Sequence, residues 1–100
     1  MSNWTQATGV SAATRQKVFD RDAHRCVLCG SMQGLQAAHI VPRSRGGMGR
    51  EENLATLCWI CHSAMDSTSA RGEMRDEVID YVKCFYPEWN ENEMIYRRHK

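Results

Sequence analysis

Two C-x-x-C pairs constrain the fold of this 100-residue chain more than any other feature of its sequence. The first pair is Cys26 and Cys29, and the second pair is Cys58 and Cys61. Each pair can present two thiolates from a tight turn, and two such turns can close a tetrahedral site of four sulfurs, which suits zinc. Because a chain this small buries little apolar surface, a bound metal would add much to its stability. We therefore expect a structural zinc site formed by all four cysteines.

The residues alone leave other uses of the cysteines open. The stretch C-W-I-C-H at 58–62 also fits the attachment motif of a c-type haem, although haem would leave the first pair without a role. Disulfides or reduced core thiols are further alternatives, whereas no β-α-β pattern supports a thioredoxin-like site. Residues 1–19 lack a basic head followed by an apolar run, so we expect a cytoplasmic protein, in which zinc is favoured over disulfides. Cys84 lies on an apolar helical stripe and is expected in the core.

The order of apolar and turn-forming residues predicts a small α+β protein. Residues 1–10 are polar and are expected to form a flexible N-terminus, followed by a single domain over 11–100. The expected elements are a helix from 11 or 14 to before 26, strands at 35–41 and 53–57 joined by a wide loop, a helix after 58, and a helical part at 73–100. No stretch is long and apolar enough to suggest a membrane span, so no membrane partner is expected.

The charge is unevenly distributed, although the net charge is only +1. Residues 1–50 hold seven Arg or Lys against two acids, and residues 51–100 hold six against ten. The loop between the expected strands is basic, and no acid lies between 39 and 50. We expect this loop to hold the phosphates of a polyanion, and the alternative is a solvated, flexible loop. The phosphate-binding candidates are Arg43, Arg45 and Arg50.

Four polar residues lie at marked positions around this loop. His39 is near the end of the first expected strand, Asn53 opens the second, and His62 directly follows Cys61. Asp66 is four residues beyond His62, which places both on the same face of a helix. Each residue taken singly is more often structural than functional. Together they form a histidine, asparagine, histidine series tied to one predicted metal site.

The segment AAHIVPRSRGGMGREENLATLCWICHSAMD, with RDAHRCVLCG upstream, resembles the HNH endonucleases, specifically the small zinc-stapled type of phages and prophages. The motifs H-I-V-P, G-G, E-N-L and L-C-x-x-C-H carry the resemblance, which covers roughly residues 14–66 and has its motif region at 26–66. It implies a ββα-metal (His-Me finger) core with a four-cysteine zinc site and flanking helices. It also implies hydrolysis of DNA with Mg²⁺ or Mn²⁺, and a role near phage genome packaging or mobile DNA, with packaging proteins as further partners.

The resemblance also implies roles for single residues. His39 matches the general base, His62 matches a ligand of the catalytic cation, and Asn53 matches the residue that braces the loop and orients the base. One position departs from the family pattern, because the residue before the base is usually an Asp or His ligand and here is Ala38. We expect Asp66 to supply the missing ligand. The alternatives are a cation held by His62 alone, or a catalytically inactive zinc-stapled module that binds DNA or acts as an adaptor.

Overall fold

A computed structural model of the chain describes residues 3–67 and 71–97, and the predicted α+β fold is confirmed. Residues 98–100, which hold the basic end of the predicted C-terminal part, lie outside the described residues. No helix within the described ranges has the length and apolar character needed to cross a membrane. The elements are α1 (Asn3–Thr8), α2 (Ala12–Arg21), β1 (Leu35–His39), β2 (Leu54–Cys58), α3 (Trp59–Ser67) and α4 (Arg71–Lys83), with 3-10 turns at Arg43–Arg45, Glu51–Asn53 and Glu91–Met94.

The two strands form an antiparallel hairpin at the centre of the molecule. Leu35 lies opposite Cys58 at one end of the hairpin, and His39 lies opposite Leu54 at the other. Every residue of β2 is buried, because α2 and α3 pack against the hairpin and α4 packs on α3 and adds Val78 and Val82 to the same buried cluster. Side chains alternate between the two faces of the hairpin along each strand. The buried apolar residues of the cluster are Cys26, Ala38, Ile40, Ala55, Leu57, Cys58, Met65, Val78 and Val82.

The wide loop between the strands is closed by the side chain of Asn53, which is fully buried. Its Oδ1 accepts a hydrogen bond from Val41 N at 2.9 Å, and its Nδ2 donates to the carbonyls of Val41 and Met48. Ile40 N donates to the backbone carbonyl of Asn53 at 2.8 Å. The strand predicted to reach residue 41 therefore ends at His39, since the next two N–H groups bond to one asparagine rather than to the ladder.

Within the segment expected to form a flexible N-terminus, Asn3–Thr8 form a helix and Thr8 is fully buried. The carbonyl of Ala7 accepts a hydrogen bond from Gly49 N at 2.9 Å. The two segments approach so closely that a Cβ at Gly49 would lie 2.0 Å from the carbonyl oxygen of Gly9. The polar composition of residues 1–10 does not indicate this packing, because the contact is made by backbone groups, which every residue carries.

The segment predicted to be a C-terminal helical part contains α4, which ends at Lys83, and the 3-10 turn at Glu91–Met94. The chain then returns to the wide loop, where Met48 N donates to the carbonyl of Met94 and Tyr96 N donates to that of Gly46, each at 2.8 Å. Backbone pairing with the loop therefore holds the chain around the 3-10 turn at Glu91–Met94. Cys84, expected in the core, is exposed just beyond the end of α4.

A buried carboxylate joins α2 to β2 and α4. Asp22 accepts hydrogen bonds from Arg21 Nε at 2.8 Å, from Thr56 N at 2.9 Å and from Tyr81 Oη at 2.8 Å. Burial by itself would raise the pKa of Asp22, but these donors outweigh it and lower the pKa. The carboxylate is therefore ionised and fully partnered at the point where three elements meet.

We expect Asp22→Ala to lower the free energy of unfolding by roughly 3–5 kcal/mol, the typical effect of removing one partner of a buried ion pair. The loss arises because the buried Thr56 N–H and Arg21 Nε lose their acceptor, and the Arg21 guanidinium keeps only its bonds to the carbonyls of Glu51 and Leu54. Urea unfolding followed by circular dichroism measures the change. The control is Asp20→Ala at an exposed carboxylate of the same helix, and equal stability of the two variants would contradict the prediction.

Candidate active site

The four predicted metal ligands converge at one end of the hairpin. The Sγ atoms of Cys26, Cys29, Cys58 and Cys61 all lie within 4.8 Å of one another, and those of Cys29 and Cys58 are 3.6 Å apart. Sulfurs around a tetrahedral zinc are about 3.8 Å apart, given a Zn–S bond of about 2.3 Å. The four side chains therefore fit a structural metal ion, and their chemistry suits zinc.

The charges of these thiols also favour a bound cation. Burial opposes ionisation of Cys26, but N–H groups of Cys58, Cys29 and Leu28 outweigh it and lower its pKa to about 7. Burial and the neighbouring sulfurs instead raise the pKa of Cys61. Four thiolates this close repel one another, so they ionise together only around a positive charge. Each of the five cysteines is free, and both C-x-x-C pairs serve one site, which disfavours the disulfide and haem alternatives.

His39 lies at the opposite end of the hairpin, partly buried under α1. Its Nε2 is 2.8 Å from the backbone carbonyl of Thr8, which can only accept, so Nε2 carries the hydrogen and Nδ1 keeps its lone pair. Burial lowers the pKa of His39, the Thr8 contact opposes that change, and the nearby charges of Arg43 and His62 reinforce it. The ring is therefore held neutral and in one tautomer, with its basic lone pair on Nδ1.

The contact that fixes this tautomer is not the one expected from the sequence. The amide of Asn53 was expected both to brace the loop and to orient the imidazole, and its hydrogen bonds are those to the backbone of Val41 and Met48. The ring contact comes instead from Thr8, which lies 31 positions before His39. Every residue carries a backbone carbonyl, so the identity of Thr8 in the sequence does not indicate this contact.

His62 and Asp66 lie on one face of α3, as their spacing predicts. His62 Nε2 is 3.3 Å from Asp66 Oδ2, and both side chains are accessible to solvent. The other ring nitrogen, Nδ1, contacts the side-chain oxygen of Gln36 on β1. One imidazole nitrogen and one carboxylate oxygen form a donor set that a hard divalent cation accepts, with room for water and phosphate oxygens.

Ala38, where the family pattern has a ligand, is only 1% exposed. It points to the α3 side of the hairpin and packs in the core cluster with Ala55 and Met65. The position therefore faces the helix that carries His62 and Asp66, but a methyl group fills it.

The three predicted phosphate-binding arginines differ in their surroundings. Arg43 donates from Nε to Thr8 Oγ1 at 3.0 Å, and its guanidinium lies 5.3 Å from the centre of the Trp4 ring. Arg45 is 3.7 Å from a carboxylate oxygen of Glu91. Arg50 pairs with Glu52 at 2.5 Å. Arg43 thus lies beside His39. Arg45 and Arg50 instead pair with acids that lie after residue 50, outside the acid-free stretch of the loop.

Residues 26–67 match a family model described as HNH endonuclease. No curated protein and no solved structure was found to match the chain. The matched segment contains both cysteine pairs together with His39, Asn53 and His62, whereas Thr8 precedes it. The antiparallel hairpin followed by α3 agrees with the ββα-metal fold that the resemblance implied. Residues 26–67 are therefore similar to the HNH endonuclease family, both in the match to its family model and in the fold of the segment.

Proposed function

We propose that this protein is a metal-dependent endonuclease that hydrolyses DNA phosphodiester bonds, by nicking or by double-strand cleavage. The observation that carries the proposal is the state of His39, a partly buried histidine whose Nε2–H is held by a carbonyl, so that the lone pair of the neutral ring is on Nδ1. A neutral imidazole with a free nitrogen can take a proton from water at neutral pH. In this role His39 is the general base, and Asn53 keeps the loop beyond it closed.

The proposed cation ligands are His62 Nε2 and Asp66 Oδ2, which are 3.3 Å apart. A bound Mg²⁺ or Mn²⁺ would supply positive charge that stabilises the scissile phosphate and the leaving oxygen. Side-chain donors from one helix face leave several positions for water and phosphate, as is usual for Mg²⁺ in nucleic-acid enzymes. The zinc site has a different task, because four thiolates leave no position open for a substrate.

DNA is the proposed partner, and Arg43 is the first residue proposed to contact its phosphates. Arg43 is exposed, is held by Thr8 and Trp4, and contributes to the electrostatic environment of His39. Arg45 and Arg50 can also reach phosphate, because exposed ion pairs such as theirs are worth little and exchange readily. A bacterial cytoplasmic location and a place near phage genome packaging remain proposals that rest on the family resemblance.

A plasmid-nicking assay tests the activity. The zinc-loaded protein is incubated with supercoiled plasmid and Mn²⁺ or Mg²⁺, with and without a chelator that spares the structural zinc. Relaxed or linear plasmid that forms only with the added cation supports the proposal. A protein that binds the plasmid and never cleaves it contradicts the proposal.

We expect Asp66→Ala to weaken the effect of Mn²⁺ by roughly 10²-fold, since the number of charged ligands shifts divalent-cation affinity over decades. Cleavage should be lost at moderate Mn²⁺ and partly recovered at high Mn²⁺. The measurement is the cleavage rate as a function of Mn²⁺ concentration. Asp76→Ala, at an exposed carboxylate of α4, is the control. A normal Mn²⁺ dependence in Asp66→Ala would leave His62 as the main protein ligand.

The burial of Ala38 favours one alternative function, a zinc-stapled DNA-binding or adaptor module without catalysis. A carboxylate at this position would face α3 and add a ligand, although its burial has a cost. If Ala38→Asp cleaves plasmid and the parent protein does not, the parent is a binding module. If the parent cleaves, Asp66 and His62 suffice without a ligand from β1.

A further inference from the structure

We propose that Gln36 is a positioning residue that fixes the tautomer of His62 and so directs its Nε2 to the cation. This inference rests on the proposed function. The side-chain Oε1 of Gln36 contacts Nδ1 of His62. Because an amide oxygen can only accept, Nδ1 carries the hydrogen, and the lone pair of the neutral ring is on Nε2. Fixing the second nitrogen of a metal-binding histidine is a general way to orient the first.

The layout of the hairpin agrees with this assignment. Gln36 pairs with Leu57, next to the end of the hairpin where Cys58 leads into α3. Asp66 lies one helical turn beyond His62, away from the zinc end. The imidazole is thus held on Nδ1 from β1, and Nε2 faces Asp66.

The hydrogen-bond partners of His62, which are both acceptors, also favour a bound cation. A neutral imidazole has one N–H, but two acceptor oxygens face this ring, one at each nitrogen. When Gln36 takes the only hydrogen, the Nε2 lone pair faces an oxygen of Asp66 at 3.3 Å. Two electron-rich atoms in this arrangement repel each other unless a second proton on the ring or a metal cation lies between them, and at a pH where the ring is neutral only the cation remains. Gln36 therefore prepares the pair for a divalent cation.

Gln36 also accounts for how β1 can contribute to the site despite Ala38. Residues two apart on a strand share a face, so Gln36 and Ala38 both point towards α3. Ala38 is buried and has no donor atom, whereas Gln36 is exposed and long enough to reach His62. In the family pattern β1 supplies a direct ligand of the cation. In this chain β1 instead supplies a hydrogen bond to the ligand His62.

The tautomer is tested by ¹⁵N NMR of the zinc-loaded protein without DNA or added divalent cation, at about pH 8, where an ordinary histidine is neutral. We expect His62 as the Nδ1–H form in the parent and in Gln36→Glu, which keeps an acceptor. In Gln36→Met, which has similar length and no comparable acceptor, the Nε2–H form should dominate. An Nε2–H form in the parent would overturn the proposal.

Mn²⁺ affinity, measured by electron paramagnetic resonance, is the second readout. Gln36→Met should bind Mn²⁺ about 10–100-fold more weakly, the usual effect of losing a partner of a metal-binding histidine. Gln36→Glu should restore the affinity, and Gln33→Met, at an exposed glutamine before β1, should not change it. If the parent binds Mn²⁺ and cleaves DNA, equal affinity in Gln36→Met overturns the role of Gln36 alone. If the parent has the Nδ1–H form but neither binds Mn²⁺ nor cleaves, the tautomer is as inferred, whereas the proposed function and the role of Gln36 at a cation site fail.

Discussion

Substitution of His39 by alanine is expected to lower the DNA-cleavage rate about 10²–10⁴-fold, the usual contribution of a general base. Zinc content and DNA affinity should stay close to those of the parent, because the imidazole contacts neither the cysteine cluster nor, in our proposal, a phosphate. Single-turnover cleavage of plasmid with saturating Mn²⁺ isolates the chemical step. The matched control is His24→Ala, an exposed histidine paired with Asp20 on the surface.

Substitution of Arg43 should have the opposite effect to that of His39, on DNA binding rather than on the chemical step. Arg43→Ala should weaken DNA binding and reduce its salt dependence, because one phosphate contact is lost, while the base remains in place. If His39→Ala cleaves at the parental rate, another group is the base. If it loses DNA binding as much as activity, the role of His39 is in the substrate contact rather than in proton transfer.

The pH profile of the parent follows from the same histidine. Burial and the charges of Arg43 and His62 lower the pKa of His39, against the effect of the Thr8 carbonyl. The neutral form, which is the proposed base, thus persists to a lower pH than for an ordinary histidine. As the pH falls, the rate should decline only below the usual histidine pKa, and the stability contributed by the buried neutral ring declines over the same range.

Loss of the structural metal is expected to have the largest effect on folding. We expect Cys58→Ser to lose zinc and most of its folded structure, since structural zinc in small domains contributes apparent free energies of about 10–16 kcal/mol. A domain of this size has a net stability of about 5–15 kcal/mol, so little would remain. Elemental analysis and thermal unfolding followed by circular dichroism measure both changes.

Cys84→Ser is the control for this experiment, because Cys84 is exposed and lies outside the cluster. Its zinc content and thermal midpoint should equal those of the parent. Parental stability in Cys58→Ser, or purified parent protein without zinc, would contradict the structural role of the metal.

The sequence predicted those parts of the fold and site that depend on the spacing of side chains. Two C-x-x-C pairs anticipated four converging sulfurs, and the spacing of His62 and Asp66 anticipated their shared helix face. The hairpin and α3 were found within one or two residues of their predicted positions because apolar alternation and turn residues mark them. These features rest on local chemistry and short-range geometry, both of which are visible in a sequence.

Contacts made by backbone groups or by distant segments could not be predicted in the same way. The carbonyl of Thr8 on His39 and the packing of residues near 94 against Met48 involve atoms common to all residues. The pairing of Arg45 with Glu91 joins charges that are far apart in sequence, so a local charge count missed it. A role for Gln36 could not be predicted, because an exposed glutamine on a strand has no distinctive sequence pattern and its contact with His62 is visible only in the fold.

The wide loop is held by backbone contacts from segments on both sides of the family match, and this limits how residues 26–67 can be transferred to another protein. Segments before and after the family match supply backbone partners to the loop, through Ala7 to Gly49 and through Met94 to Met48. A fragment trimmed to 26–67 would keep its ligands and its histidines, yet it would leave those N–H groups without partners and His39 without its carbonyl. Chimeras and minimal fragments of this protein should therefore keep residues 3–97, because the segment that folds as a unit is longer than the HNH motif.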